Sequence, residues 1–430
     1  QSRIKSLNDK SVQNGEYILY WMQASQRVEN NHALELAIKK ANNFNQPLLV
    51  FFALTDDFPE ANARHYYFML EGLQEVQKKL KNRNIKMIVK NTTPDQGVKK
   101  LSKDASLVVT DRGYLKVEKE WKREAAQNIS CPLLQVESDV VVPVEEASDK
   151  EEYAAYTLRK KINKKIDDYL NPVEENQIEI SSLDLDFSSL NLDNLDQVVN
   201  ELDLDQSVTK TSTFTGGNSE AKKHLQDFLA NKLDKYEELS NDPTTDYLSN
   251  LGPYLHFGQI SPLHIVLEAK KQEESDSLED FLDQVIVRRE LSINFVHYNQ
   301  NYDGQLDEIL SEWAYETLEE HKSDLREYNY SRQEFEAAKT HDSYWNAAQL
   351  EMMATGKMHG YMRMYWGKKI LEWTDDPQTA YDIALYLNNK YSLDGRDPNS
   401  YAGIAWCFGK HDRAWQEREV FGKVRYMNAN

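Results

Sequence analysis

The chain has 430 residues, 40% of them hydrophobic, enough to bury a large core divided into two or three domains. Its formal charge of -20 excludes a surface that attracts nucleic acid along its whole length, because phosphate binding draws most of its affinity from Lys and Arg; from residue 341 onward, however, eleven basic residues balance eleven acidic ones, so the deficit lies in the first 340. Two cysteines, Cys131 and Cys407, exclude a disulfide framework, and no Cys or His spacing points to a metal site.

In chain order, β-branched and aromatic runs at residues 17–22, 47–54, 85–89, 107–110 and 133–136 alternate with amphipathic stretches such as 32–42 and 64–82. Strands separated by single helices predict right-handed crossovers and a parallel, Rossmann-like α/β sheet covered on both faces, in a first domain spanning residues 1–155. Neither GxGxxG nor GxxxxGK[ST] occurs, so the usual nucleotide fingerprints are absent. Residues 156–215 read as an interdomain connection. Within it Leu alternates with Asp, Ser and Asn (SSLDLDFSSLNLDNLDQ), which predicts a solvated, acidic linker. From 216 to 430 nearly every segment has helical periodicity, with breakers such as Pro253, Gly258 and Ser261-Pro262, and the second domain is predicted to be all helical. No apolar leader and no run near eighteen apolar residues occurs; the expectation is a cytoplasmic protein, nucleoid-associated in a prokaryote, without membrane contact and monomeric.

The chemistry concentrates late in the chain. Trp345, Trp366, Trp373, Trp406 and Trp415 are five of its eight tryptophans. Trp366 and Trp373 are two helical turns apart and share a face, so an electron can step between such rings. The stretch GKMHGYMRMYWGKKILEW (356–373) sets Met358, Met362 and Met364 beside four aromatics and four basic residues, with no carboxylate before Glu372. Thioethers suit flat rings as well as aliphatic core. Arg363, flanked by Met and Tyr, is costly to bury without an anion, and Asp394 or Asp397 in the turn-rich LDGRDPN is the expected partner. Lys357, His359, Lys368 and Lys369 are candidates for phosphate or solvent.

These residues carry a resemblance. MHGYMRM (358–364), SNLGPYLHFGQIS (249–261), FTGGNSEAKKHLQDFL (214–229), RREL..NF (288–295) and LDGRDPNSYAGIAWCFGKHDRAW (393–415) resemble the photolyase and cryptochrome family. The closest resemblance is to class II cyclobutane pyrimidine dimer photolyases. In the first domain YWMQASQRVENNHAL (20–34), ANARHYYFMLEGL (61–73) and VESDVVVPVE (136–145) agree, so the likeness weakens only in the linker.

The resemblance implies an FAD bent into a U within the helical domain and a light-driven lyase acting on UV-damaged DNA that carries pyrimidine dimers. It implies further that the flavin phosphates lie on Ser249, Asn250, Leu251 and Gly252, where the family's SxLSPYL motif has Ser in place of Gly252, and that Tyr236 precedes this site. Arg289, Asn346 and Gln349 are expected to join the cofactor site, as are Gly395 and the ion pair of Arg363 with Asp394. Asn388 is the candidate facing flavin N5, with Asn399 as the fallback. Trp406 and Met364 are expected to wall the hole that receives the flipped lesion. Where other photolyases carry ELxW, this chain reads QVIVRRE, so either Glu290 polarises the thymine carbonyl or that contact is altered; Glu290 is the residue chosen. Trp366, nearest the flavin, followed by Trp345 and Trp373 toward the surface, is the expected electron path. A second, antenna chromophore of deazaflavin or folate type would belong to the first domain, although no motif encodes its presence or kind. The competing functions are a cryptochrome-like blue-light signalling flavoprotein without repair activity and, less favoured for want of an NAD(P)H motif, a dark flavin oxidoreductase.

Overall fold

The structure, a computed structural model, describes residues 1–429. Six strands form one sheet in the order β1-β6-β5-β2-β3-β4, comprising β1 (Ile4–Ser6), β2 (Tyr17–Met22), β3 (Leu48–Leu54), β4 (Lys86–Asn91), β5 (Ala105–Asp111) and β6 (Leu133–Val136). All neighbours are parallel except β1, which runs antiparallel to β6. Every residue of β2, β3 and β5 is buried. Helices cover both faces, which is why these strands read as unbroken apolar runs rather than alternating ones. The strand order reverses at β2, so a crevice opens beyond the carboxyl ends of β2, β3 and β5. There Asp111, at the end of β5, accepts the backbone amides of Gln23, Ala24 and Ser25 and the Tyr20 hydroxyl, fixing the loop that leaves β2.

The acidic connection differs from the expected solvated linker. It lies along the outer strand β4: the Ser182 hydroxyl accepts the Lys86 amide at 2.7 Å, and the Leu190 amide donates to the Val89 carbonyl at 2.8 Å. Leu192, Val198, Val199 and Leu202 are buried in the core of the sheet domain. The Leu/Asp alternation therefore acts as a period-two pattern, Leu inward and Asp outward, that shields a sheet edge from pairing with another chain.

Residues beyond the connection are helical in the described chain. The helices that frame the site are Gly252–His256, Arg289–Tyr298, Ser343–Thr355, Gly360–Glu372, Pro377–Tyr391 and Pro398–Cys407. Two guanidiniums tie the halves together. Arg27 donates to Asp139 at 2.5 Å and to the Gly258 carbonyl at 2.8 Å, while Arg64 donates to the carbonyls of Met352, Met353 and Tyr391. Gly258 has φ +60, and a Cβ there would meet the Ala24 carbonyl oxygen at 1.9 Å, so the close approach of the halves requires glycine. No helix of the described residues is long and apolar enough to cross a membrane.

Candidate functional site

The helix Gly360–Glu372 begins at His359, whose Nδ1 accepts the Tyr361 amide at 3.2 Å. One turn later Arg363 reaches Asp394 Oδ1 at 3.3 Å, and the Ser392 hydroxyl donates to the same oxygen at 2.6 Å. Of the two aspartates open to Arg363, Asp397 is otherwise engaged: its Oδ1 accepts the Ser400 amide at 2.9 Å and caps the helix Pro398–Cys407. Burial pushes the Asp394 carboxyl up, but Arg363, Ser392 and Lys357 outweigh it and hold the group below its ordinary value, ionised at neutral pH. Burial dominates at Asp397, lifting it to about 6.

The segment 249–252 lies against this pair. Asn250 sits in the left-handed region at φ +57, and its Oδ1 accepts a hydrogen bond from Lys357 Nζ at 2.6 Å. A Cβ on Gly252 would meet Asp394 Oδ2 at 2.5 Å, so the residue that departs from the family motif is the one that lets the loop approach the ion pair. Ser249 is half-buried, Leu251 is buried in the core, and Tyr236 packs edge-on against Phe228 and Phe281. Gly395 is held against the helix Pro377–Tyr391, where a Cβ would meet the Asn388 carbonyl oxygen at 2.8 Å. The Asn399 amide is directed to Asp397.

Several buried polar atoms around this space have no protein partner: Arg363 Nε, Arg289 Nε and Nη1, Gln349 Nε2, and Asn388 Oδ1. Unsatisfied buried donors and acceptors are rare and costly, so this set, drawn from four helices, fits a polar ligand with both donors and acceptors, as FAD has. Asn388 donates through Nδ2 to Ser400 Oγ, which leaves its carbonyl oxygen as the free acceptor.

Gln349 also links this space to the tryptophans. Its Oε1 accepts Trp366 Nε1 at 2.9 Å. Trp345 stacks on Trp366 with ring centroids 6.1 Å apart, and Trp373 meets Trp345 edge-on at 6.4 Å. The expected surface end is corrected: Trp373 is only 4% exposed, because His341 and Tyr330 pack over it at 4.8 and 5.8 Å. Tyr328, stacked on His341 at 3.6 Å and 37% exposed, is the outermost ring of that cluster. The sequence reading missed Tyr328, Tyr330 and His341; the aromatic spacing in EYNYSR was the available signal.

Met364 and Trp406 come from helices in direct contact. A Cβ on Gly367 would meet Cys407 Sγ at 2.5 Å, and Sγ lies 4.0 Å from the Met364 carbonyl oxygen. Arg288 lies over the Trp406 ring at 5.7 Å.

Four expectations change. Glu290 faces the sheet domain, where its Oε1 accepts the amides of Val141 and Val142 at 2.6 and 3.1 Å, while its Oε2 is buried without a protein partner. Burial raises its carboxyl to about 8. Asn346 is turned to Thr340, accepting its amide and hydroxyl and donating to its carbonyl, so its oxygen is filled and only one N–H is left over. Lys368 is buried and donates to the Cys407 carbonyl at 2.5 Å, while Lys369 pairs with Glu372; neither is free for phosphate.

A cavity of about 140 Å³ occupies the crevice beyond β2, β3 and β5. Phe58, Tyr66 and Trp121 wall it from the sheet side, and His256, Arg289 and Asp397 from the helical side.

Residues 18–177 match the DNA photolyase family model. The chain is 54% identical to a deoxyribodipyrimidine photo-lyase of Methanothermobacter thermautotrophicus over 99% of its own length and 94% of the relative's. It is 40% identical to one of Arabidopsis thaliana (96% and 85% covered) and 38% identical to one of Potorous tridactylus (95% and 77%). Among solved structures, a bacterial class III photolyase from Agrobacterium tumefaciens superposes with TM-score 0.74 at 16% identity, covering 93% of this chain and 81% of that one. An archaeal photolyase from Sulfolobus tokodaii, solved with two FAD molecules, gives 0.70 at 16% identity, with 91% and 83% covered. At that identity these two likenesses speak to the fold.

Proposed function

The chain belongs to the DNA photolyase family, and on that premise we propose that it is a deoxyribodipyrimidine photo-lyase of class II, which uses light to split cyclobutane pyrimidine dimers in UV-damaged DNA. In this reading residues 1–155 are the antenna domain, 156–215 the connection, and 216–430 the catalytic domain. The observation that carries the proposal is the set of unpartnered buried polar atoms on Arg289, Gln349, Arg363 and Asn388, with Gln349 bonded to one ring of a tryptophan stack. Bound there, FAD supplies light-driven transfer of one electron to the dimer and takes it back after the ring opens.

The chain's residues prepare that exchange. Arg363, fixed by Asp394 and Ser392, offers a cation that charge on a reduced flavin needs, at a position set before light arrives. Asn388 Oδ1 is left to accept a hydrogen bond, which suits an N–H at the flavin's reactive edge. Gln349 orients Trp366, and the rings of Trp366, Trp345 and Trp373 offer a path that refills the flavin rather than one that repairs DNA. Trp406 and Met364 replace the stacking that a flipped dimer gives up, a loss already reduced by its distorted pairing. Glu290 has no part in polarising the lesion; its backbone contacts fasten the sheet domain instead.

DNA engagement does not conflict with the net charge. Downstream of the Trp406 helix, the half-exposed Trp415 lies between the guanidiniums of Arg413 and Arg425, at 4.9 and 5.1 Å, a basic and aromatic surface suited to backbone phosphates and unpaired bases. The crevice cavity, with its aromatic wall at the reversal of strand order, supports a second chromophore of deazaflavin or folate type.

Incubating dimer-containing DNA with the purified chain in blue light and in darkness tests the proposal. Repair confined to the illuminated sample is the expected result. Flavin binding without repair in either sample would favour a signalling role.

A further inference from the structure

Lys357 was left between phosphate and solvent by its sequence, and its surroundings resolve the choice. It follows Gly356, which ends the helix Ser343–Thr355 at φ +80 and whose carbonyl accepts the Leu393 amide at 2.7 Å. A Cβ on Gly356 would meet Leu393 Cγ at 2.8 Å, so the connection is pinned to the turn that carries Asp394. Lys357 is held on both sides by Thr355: its amide donates to Oγ1 at 3.1 Å, and that hydroxyl donates to the Lys357 carbonyl at 2.8 Å. The side chain then reaches the loop 249–252 and ends on the neutral Asn250 Oδ1 at 2.6 Å.

No carboxylate lies within ion-pairing distance of its ammonium among the described residues. The charged groups that face it are Asp394 and Arg363 on the ion-pair side, Glu351 from the preceding helix and Asp246 from the segment before Ser249, with His359 beyond. Burial is the largest influence and draws the Lys357 ammonium down to about 8, and Arg363 draws it the same way. Two cations thus converge on one side of the site with a single close carboxylate, Asp394, between them. The Lys357 ammonium itself meets only the neutral Asn250 oxygen, with Glu351 and Asp246 acting on it from beyond ion-pairing distance, which leaves it open to a closer anion.

Two observations say which anion. Lys357 touches the loop that stands one hydroxyl short, because Gly252 has no room for a serine side chain against Asp394. Arg363 turns to Asp394 and Ser392 instead, on the other side of that carboxylate. The strongly anionic part of a flavin dinucleotide is its diphosphate, and a lysine is a compact charge suited to it. We propose that Lys357, positioned by Asn250, is the diphosphate-binding cation of this site and the residue that makes it select FAD over riboflavin. The inference rests on the flavin reading above and deepens it.

The test is titration of the full-length apoprotein with FAD and with riboflavin, following flavin fluorescence, for the wild type, Lys357→Met and Lys357→Arg. Lys357→Met is expected to weaken FAD about 10- to 100-fold, in line with a lost charge-assisted hydrogen bond, while riboflavin affinity holds. Lys357→Arg recovers most of the loss. Unchanged riboflavin affinity also certifies that the variant is folded. Equal weakening of both flavins would move Lys357 to the ring and overturn the assignment. So would unchanged FAD affinity with a shallower salt dependence of DNA binding, which would give the lysine to DNA. A wild type that binds neither flavin defeats the flavin reading itself, an outcome distinct from either.

Discussion

The indole of Trp345 lies face to face with that of Trp366, 7° from parallel, and its Nε1–H donates to the Trp366 carbonyl at 3.0 Å. The hydrogen bond fixes the stack: neither ring can turn without stranding a buried N–H. Together with Gln349 on the opposite edge of Trp366, it holds two large rings at a constant separation inside the helical half.

Replacing Trp366 or Trp345 by Phe should therefore abolish light-driven reduction of the oxidised flavin while leaving repair by chemically reduced enzyme unchanged. Trp366→Phe also leaves both polar atoms of Gln349 unpartnered, costing about 1–3 kcal/mol of stability. Absorption spectroscopy during illumination, followed by a repair assay after dithionite treatment, separates the two effects. Loss of repair in the pre-reduced variant would argue against the path.

Gly252→Ser restores the hydroxyl common in the family yet should weaken FAD retention, by about tenfold if one charge-assisted contact is lost, because its Cβ displaces Asp394 from Arg363. Arg363→Ala should do the same by removing the cation. Flavin content after gel filtration measures both, and a serine variant that holds flavin more tightly would contradict the steric argument.

Glu290 gives a pH prediction of definite sign. Its carboxyl titrates at about 8 in the fold against 4.5 when unperturbed. Between those values the folded chain holds a proton that the unfolded chain has released, so this group's contribution to stability is full below about 4.5 and is lost as pH rises through 8. Glu290→Gln keeps an acceptor for the Val141 and Val142 amides and cannot ionise. The melting temperature of the variant should decline less than that of the wild type from pH 5 to 8, with repair retained. A parallel decline in both proteins, or loss of repair, would count against the structural role.

Trp406→Ala should lower affinity for dimer-containing DNA by about 1–3 kcal/mol, the value of stacking one base on an aromatic ring, without altering the flavin spectrum or binding to undamaged DNA. Filter binding with matched damaged and undamaged duplexes reads the difference.

Much of the first domain was legible because its strands are buried on both faces: Tyr17–Met22 and Leu133–Val136 coincide with their apolar runs. β1 was missed since three exposed residues, IKS, pair only with an edge. The Leu/Asp alternation of the connection was a strand-like signal taken for solvation, and what it packs on, the β4 edge, is distant in sequence. In the site, Arg363 announced its need for an anion; residue types alone left Asp394 and Asp397 open, the family resemblance pointed to Asp394, and the fold places Arg363 on Asp394. Glu290 was misassigned because a π-turn at Gln284–Arg288 shifts the helix face just before it, a displacement that no spacing of residues in the sequence records. Asn346 failed for a simpler reason: a partner six residues back, Thr340, had already claimed it.

Arg27 and Arg64 start in the sheet half and end on carbonyl oxygens of the helical half, at Gly258, Met352, Met353 and Tyr391. Pulling the halves apart would strip Arg64 of three carbonyl partners and leave the Gly258 carbonyl without Arg27, so neither half is an exchangeable cassette. Recombination with a relative would have to import both arginines along with the backbone they grip, and a sheet half joined this way inherits its distance and orientation to the helical half rather than acquiring them by docking.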